Sequence, residues 1–220
     1  MLISHEHEFI FVHIPRTGGT SIEKSLALAT GMTDWKLQNG TPQEHLDADD
    51  LMAFTQDATS HMRGMKHATA RTLRDHVGED VWNRYFKFAV VRNPLDRTLS
   101  VFLKTLKSPR YDLVRPLARS KLAFNASLQL KYQVLNKQPD LQADFLCDEG
   151  RLIVDDIIRF EDLTGGYRRI AERIGLDPTL SNNNDATHHR PYASYYTPAT
   201  RRLIERVKEP DFRLLDYPTT

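Results

Sequence analysis

Cysteine is almost absent from this chain of 220 residues, since Cys147 is the only one, and an internal disulfide is therefore excluded. Long apolar runs are missing as well, because no stretch approaches the roughly 20 apolar residues that a membrane-spanning helix needs. An excess of charge of one sign is also missing: 30 basic residues face 29 acidic ones, so no bulk field favours nucleic acid. We expect neither an integral membrane segment nor a nucleic-acid partner.

The apolar residues that are present predict strands that alternate with helices. They make up 40% of the chain, which is enough for one core. Short apolar runs predict strands at 8–14, 86–92 and 153–160. Helical signals predict helices at 20–29, 69–77, from 94 to about 138, at 163–174 and from Thr197 onward, and the polar stretch 31–60 is predicted to be a loop or an irregular helical insertion. The alternation predicts a single three-layer α/β domain over residues 1–220 with a central parallel sheet. Because the first strand starts by Glu8, no room is left for a signal peptide, and a cytoplasmic protein is expected.

The first chemical motif lies where the apolar run beginning at Phe9 ends in a turn with two adjacent glycines, Gly18 and Gly19. Glycines let the backbone approach a ligand closely, and the first N–H groups of the following helix point at an anion. Further donors are the guanidinium and the hydroxyl groups of Arg16, Thr17, Thr20 and Ser21. The motif predicts a site for a phosphate or sulfate ester, and a plain structural turn is the alternative.

The second motif lies where the apolar run 88–91 ends at Arg92. Asn93 is predicted to cap a helix whose first residue is Pro94, so Arg92 is expected at the carboxyl end of a buried strand. Open α/β sheets bind ligands at that edge. Ser100 follows two helical turns later and could share an anion with Arg92 if the helix runs past the site. Alone, Arg92 could equally be a structural ion-pair partner.

Together the two motifs resemble the sulfotransferases that use 3′-phosphoadenosine 5′-phosphosulfate (PAPS), specifically the carbohydrate-type and bacterial branch. The first loop of that branch reads much like the segment 13–21 of this chain, with Lys where Arg16 stands here. The likeness continues through 66–70 and 158–163 and into a tail beginning at Tyr195, so it covers nearly the whole chain. It implies the P-loop-like sulfotransferase architecture.

The resemblance also implies roles for the residues of both motifs. The first loop would grip the 5′-phosphosulfate of PAPS through Arg16, Thr17, Gly18, Gly19, Thr20 and Ser21. Arg92 and Ser100 would grip the 3′-phosphate. Arg16 keeps the positive charge of the usual Lys and would stabilise the departing bisphosphate. No metal is required for this chemistry in principle.

Sulfuryl transfer to a hydroxyl also needs a group that removes a proton, and histidine suits that role near neutral pH. Among nine histidines the first candidate is His67, which stands just before a predicted helix at a position where related sequences commonly carry His. A structural role for His67 is the alternative, and His45, His61 and His189 are the next candidates. The segment 188–192 could form a loop over the cofactor.

The acceptor is expected to be a hydroxyl of a carbohydrate or another small polyol. One local bias bears on its charge, because the segment from Lys104 to Lys121 holds six basic residues and a single acid, Asp112. Such a surface would suit an anionic glycan, and a solvated helix face is the other interpretation.

Two other functions remain open at this point. In a P-loop kinase or NTPase, the run 152–156 would be a strand that delivers a magnesium-binding aspartate, although the sequence Gly-x-x-x-x-Gly-Lys-Ser/Thr is missing. The other function is that of a catalytically inactive module that binds PAPS or adenosine 3′,5′-bisphosphate (PAP). In such a module, Arg16 in place of the usual Lys would mark the loss of activity.

Overall fold

The computed structural model describes residues 1–30, 67–113, 115–181 and 191–219. Contacts between residues divide the chain into two compact units. The first comprises residues 1–91 and 144–183 and carries the strands, whereas the second comprises residues 92–143 and 184–220 and is helical in its described part. The polar stretch 31–60, predicted as a loop or an irregular helical insertion, lies outside the described residues.

The described elements are, in chain order, β1 (Leu2–Ser4), β2 (Phe9–Val12), α1 (Gly19–Ala29), α2 (Ala70–Val77), α3 (Glu79–Arg84), β3 (Phe86–Val91), α4 (Pro94–Thr105), α5 (Arg115–Ala118), α6 (Lys121–Gln129), α7 (Ala143–Leu146), β4 (Cys147–Asp148), β5 (Arg151–Leu152), β6 (Asp156–Arg159), α8 (Leu163–Arg173), α9 (Pro198–Val207) and α10 (Glu209–Leu214). A π-helical turn over Leu130–Val134 continues α6, and short 3₁₀ helices occupy Pro109–Tyr111, Phe160–Asp162 and Tyr192–Tyr195.

The first unit contains a four-stranded sheet in the order β1-β2-β3-β6. Strands β2, β3 and β6 are parallel, with Phe11 opposite Phe88 and Ala89 opposite Ile157. These are the three predicted strands, and the α/β prediction is confirmed. The sheet is mixed rather than purely parallel, because β1 pairs antiparallel with β2. A three-residue strand next to a polar turn leaves too short a pattern to be predicted from sequence.

Alternate residues of the parallel strands face a core that also contains α1 and α8. From β2 and β3 this core receives Phe9, Phe11 and Phe88, whose rings lie in contact and are fully buried. Helices α1 and α8 contribute Ile22, Leu26, Tyr167 and Ile170. Lys87, whose side chain points to the opposite face of β3, has its Nζ 5.7 Å from the centre of the Trp82 ring in α3. The sheet therefore has helices on both faces, as a three-layer arrangement requires.

Helix α2 begins where the sequence predicts it. The Thr69 hydroxyl accepts a hydrogen bond from the backbone N–H of Thr72, and the helix ends before Gly78, whose φ is +82°. Helix α3 follows Gly78 directly and was not predicted, because six residues are too few to show a helical period.

The second unit begins with α4, whose start also agrees with the prediction. Asn93 accepts a hydrogen bond from Leu95 N–H at 3.0 Å, and Pro94 is the first helical residue. The predicted helical region to about 138 is divided into several short helices, and Pro109 and Pro116 stand within the first residues of two of them. Among the described residues, no helix is both long and apolar enough to cross a membrane.

Candidate active site

The loop between β2 and α1 has an unusual backbone. Gly18, the residue before α1, has φ of +90°, and the exposed Arg16 has φ of +68°. Such left-handed conformations are costly for residues with a side chain, and tight turns that contain them form the backbone nests in which anions bind. A Cβ at residue 18 would also come within 3 Å of the Phe160 ring. Glycine is therefore required at this position.

Gly19 is required for a different reason. A Cβ there would overlap the imidazole of His13, the residue after β2. His13 is 3% exposed, so its ring has little room to move aside. The loop thus folds back onto the strand that precedes it. Gly19 and Thr20 are the first residues of α1, so no carbonyl of that helix accepts a hydrogen bond from their N–H groups.

The side chains of the loop differ in what they can offer a ligand. Thr17 is fully buried, and its hydroxyl donates to the carbonyl of Ile14 at 2.8 Å. This hydrogen bond stabilises the loop and uses the hydroxyl proton that Thr17 could otherwise donate to a ligand. Thr20 and Ser21 are half-buried, and the N–H of Ser21 donates to the carbonyl of Gly18. The groups suited to an anion are the backbone N–H groups, two hydroxyls and the Arg16 guanidinium, a donor set that fits the phosphosulfate end of PAPS.

His67, the proposed base, lies beside this loop. Its Nδ1 is 3.0 Å from the carbonyl oxygen of His13, and its ring packs edge-on against the His13 ring with 4.7 Å between centres. Because a carbonyl can only accept, Nδ1 must carry the proton, which leaves the lone pair of the neutral ring on Nε2. His67 is exposed to solvent. The contact brings together the predicted base and the end of β2, which leads into the loop 13–19. We call this loop the anion loop.

Arg92 directly follows β3, at the carboxyl end where the sequence predicted it. Its Nε donates to Asp96 at 2.8 Å, one turn into α4. Its backbone is held by the buried side chain of Gln142, whose Oε1 accepts from Arg92 N–H at 2.9 Å and whose Nε2 donates to the Arg92 carbonyl at 2.8 Å. The amide of Gln142 therefore satisfies both backbone polar groups of Arg92.

Ser100 lies on α4 and is 5% exposed. It is two turns beyond Arg92, as the spacing predicts. The segment that carries Gln142 is itself anchored, since the fully buried Arg97 donates to the carboxylate of Asp140 and to its carbonyl. A buried lysine, Lys208, also donates to that carbonyl, and burial lowers the pKa of Lys208 to about 8.

The family model described as "Sulfotransferase family" matches residues 1–218. The chain belongs to this family. It is therefore a sulfotransferase enzyme, and its α/β sheet with flanking helices is consistent with a sulfotransferase fold. Members of the family generally use PAPS as the donor. Neither a curated protein nor a solved structure matches the chain.

The alternative of a kinase or NTPase with a magnesium-binding aspartate after the run 152–154 is wrong for this sulfotransferase. Asp155 directly precedes β6 and Asp156 is its first residue, so both lie at the amino edge of the parallel strands, opposite the loop 13–19. Both are paired there, Asp155 with the backbone N–H and Nζ of Lys87 and Asp156 with Arg169. Both carboxylates therefore form ion pairs between elements of the first unit.

His5 and His13 are among the other histidines that the structure describes. His45, His61, His188 and His189 lie outside the described residues. His5 is exposed, and its Nδ1 is 2.7 Å from the hydroxyl of Tyr85. His13 is buried inside the first unit.

Three residues near the site were not found by sequence reasoning. Asp96 could have been, since it stands four residues after Arg92 on a predicted helix, a spacing at which opposite charges pair. Gln142 acts across fifty residues of chain and leaves no local signal. Glu23 is a charged residue on the buried face of α1. Its only signal in the sequence is that it interrupts the apolar pattern of that helix face.

Glu23 and His13 form a buried pair beneath the anion loop of the sulfotransferase. The Nδ1 of His13 donates to Oε1 of Glu23 at 2.8 Å, and Oε1 also lies 2.7 Å from the amino nitrogen of Met1. Burial lowers the pKa of His13 although Glu23 opposes the effect. Burial disfavours the Glu23 carboxylate, but the hydrogen bond from His13 and the nearby positive charge lower its pKa overall.

Replacing Glu23 by glutamine is expected to reduce the free energy of unfolding by about 1–3 kcal/mol near neutral pH, because a buried charge-assisted contact is lost. The lowered pKa of Glu23 stabilises the fold above the ordinary value of 4.5, and this stability disappears as the pH falls through the folded pKa. The lowered pKa of His13 costs stability in acid from its ordinary value of 6.5 downward.

Urea unfolding of both proteins between about pH 7 and about pH 3 tests this prediction. The wild type should lose stability in two ranges, and the Glu23→Gln variant should lose less than the wild type below about pH 4.5, where Asp148 and Asp177, whose pKa values are also lowered, still contribute in both proteins. Equal slopes for both proteins in that lower range would show that Glu23 is not ionised in the fold.

Proposed function

We propose that this sulfotransferase transfers the sulfuryl group of PAPS to a hydroxyl of a carbohydrate acceptor, with His67 as the general base. The proposal takes the chain 1–220 as one catalytic domain and is supported by the family match over residues 1–218. The observation that carries it is the hydrogen bond from His67 to the carbonyl of His13, because it joins a histidine with a defined tautomer to the strand end from which the anion loop starts.

The first loop is proposed to hold the 5′-phosphosulfate. Its support is the glycine pair, which has no room for a Cβ at either position, together with the N–H groups at the start of α1. Arg16, exposed at the turn, is proposed to place its guanidinium against the phosphate that gains charge as the sulfuryl group leaves. When bound, PAPS supplies an activated sulfuryl group that an acceptor hydroxyl can attack in line.

His67 is proposed to take the proton of the attacking hydroxyl on Nε2. Donation from Nδ1 to the His13 carbonyl holds the ring in one orientation and keeps the lone pair on the opposite nitrogen. The exposure of His67 agrees with a base that must meet an acceptor arriving from solvent.

Arg92 and Ser100 are proposed to hold the 3′-phosphate. The strands β2 and β3 are parallel neighbours, so the anion loop and Arg92 both follow carboxyl ends of adjacent strands. Asp96 and Gln142 fix the side chain and the backbone of Arg92, which is the preorganisation that a phosphate contact needs.

PAP is expected to raise the melting temperature of the wild type clearly more than AMP does, because only PAP carries a 3′-phosphate and a ligand stabilises the native state by mass action. In the Arg92→Ala variant the affinity for PAP should fall at least about tenfold, since a charge-assisted contact contributes about 1.5–3 kcal/mol. The affinity for AMP should change little. Calorimetry and thermal shift measure both effects.

Arg213→Ala is the matched control, because Arg213 also pairs with a carboxylate one helical turn away but lies at the end of the chain on α10. Equal thermal shifts from PAP and AMP in the wild type would contradict the assignment of the second motif. Transfer of labelled sulfate from PAPS to a panel of glycans, phenols and lipids would test the acceptor class, and transfer to phenols alone would overturn the carbohydrate proposal.

A further inference from the structure

The outer face of α6 and of the π-helical turn after it carries an apolar stripe, formed by Leu122, Ala126, Leu130 and Val134. These residues recur every four positions and are therefore neighbours along one helix face. Leu122 is 81% exposed, Leu130 52% and Val134 71%. A contiguous apolar stripe in contact with solvent is typical of an interaction surface, whereas single exposed leucines are not.

Exposed apolar side chains are concentrated in this part of the molecule. In the described ranges, eight large apolar side chains are exposed, and six of them lie between residues 113 and 135. Beside the stripe, these are Leu113 and Leu117, which precede α6, and Leu135, which follows the π-helical turn. The other two, Leu28 and Leu152, belong to the first compact unit.

The opposite face of α6 is fixed in the second unit, so the stripe cannot turn inward. Phe124 packs edge-on against Phe102 and Tyr196. The buried Asn125 donates to the carbonyl of Tyr195 at 2.8 Å and accepts from the N–H of Thr197 at 3.1 Å. Rotation of the helix would leave these buried polar groups without partners, which is costly.

The chain around the stripe is positively charged. Between Asp112, which pairs with Arg115, and Asp140, which pairs with Arg97, the sequence has no acidic residue. The same segment has five basic residues, Arg115, Arg119, Lys121, Lys131 and Lys137, although the whole chain has a net charge of only +1. Arg119 and Lys121 are exposed immediately before the stripe, and Lys137 is exposed immediately after it. The stripe therefore has cationic side chains at both ends.

We propose that the apolar stripe and these basic residues form a docking surface for a bilayer that contains anionic phospholipids. Apolar side chains of a helix lying on a membrane enter the boundary between headgroups and acyl chains, and basic residues beside them are attracted to the anionic headgroups. A second copy of the chain fits this surface less well, since pairing through the same face would bring the two sets of cations together. The surface serves attachment and includes none of the residues proposed for sulfuryl transfer.

Cosedimentation of the full chain with vesicles tests the proposal. We expect binding to vesicles of phosphatidylcholine mixed with phosphatidylglycerol, weaker binding to phosphatidylcholine alone, and a decrease of binding as salt is added. The double variant Leu122→Gln, Leu130→Gln should bind the mixed vesicles at least about tenfold more weakly, because two side chains no longer enter the acyl boundary. The double variant Arg119→Glu, Lys121→Glu should lose most of the preference for anionic vesicles.

Leu28→Gln, Leu152→Gln is the matched control, since it removes two exposed leucines outside the surface and should bind as the wild type does. Circular dichroism and the melting temperature establish that each variant is folded. Three results would overturn the proposal: wild-type binding that is equal for both vesicle types, a stripe variant that binds as tightly as the wild type, or a wild-type dimer in light scattering that the stripe variant abolishes. Binding to a soluble anionic polysaccharide in place of vesicles would overturn it as well.

Discussion

Replacement of His67 by alanine is expected to lower the turnover of sulfuryl transfer by about 10²–10⁴, the usual contribution of a general base. The affinity for PAP should stay unchanged, because His67 is not among the groups proposed to hold the phosphosulfate or the 3′-phosphate. The wild-type rate should fall in the acidic range in which an imidazole takes up a proton, and this limb should be absent from the variant. Steady-state rates across pH and calorimetric titration with PAP measure both properties.

His67→Asn separates catalysis from structure, because the amide N–H of asparagine can replace Nδ1 as the donor to the His13 carbonyl but offers no base. It should retain the stability and PAP affinity of the wild type and show the same low turnover as His67→Ala. His76, an exposed histidine on α2, provides the control, and His76→Ala should be fully active. Loss of PAP binding in both His67 variants would identify His67 as a cofactor contact, and full turnover in either would remove it from the mechanism.

The fold could be predicted from the sequence where a local pattern was strong. The runs at 9–12 and 88–91 are continuous and apolar because parallel strands are buried on both faces. Asn93-Pro94 and Thr197-Pro198 begin helices by capping chemistry that acts over three residues. The antiparallel edge strand β1 and helix α3 were missed. Both are too short to show a period in their apolar residues. The position of β1 depends on its pairing with β2, and that of α3 on its packing against β3.

The site could be predicted as far as its motif residues reach. The glycine pair, Arg92 and His67 were recognised as residue types in a pattern, and the position of the loop after β2 agrees with that prediction. The supporting contacts could not be predicted, because Gln142 acts across fifty residues and Glu23 acts through His13 rather than on a ligand. The need for Gly19 likewise depends on a ring six residues earlier, which only the folded chain brings against it.

That contact between Gly19 and His13 gives the second large effect. Gly19→Ala is expected to weaken PAP binding by about tenfold to a hundredfold, because its Cβ would overlap the buried His13 ring and the loop must move away from the strand. Overpacking of this kind costs about 1–3 kcal/mol, and each 1.4 kcal/mol of binding energy is tenfold in affinity. Calorimetric titration with PAP measures the loss.

Gly78→Ala is the control, since Gly78 has φ of +82° and no atom within 4 Å of the added Cβ. It should lower the free energy of unfolding through backbone strain and leave PAP affinity intact.

The double variant His13→Ala, Gly19→Ala tests the cause of the Gly19 effect. Removing the imidazole makes room for the Cβ, so the double variant should bind PAP more tightly than Gly19→Ala alone, and a double-mutant cycle should give a coupling energy of opposite sign to the two single losses. His13→Ala keeps the backbone carbonyl that His67 donates to, so the base stays in place. Additive losses would show that the two residues act separately, and normal PAP binding by Gly19→Ala would place the phosphosulfate elsewhere than in this loop.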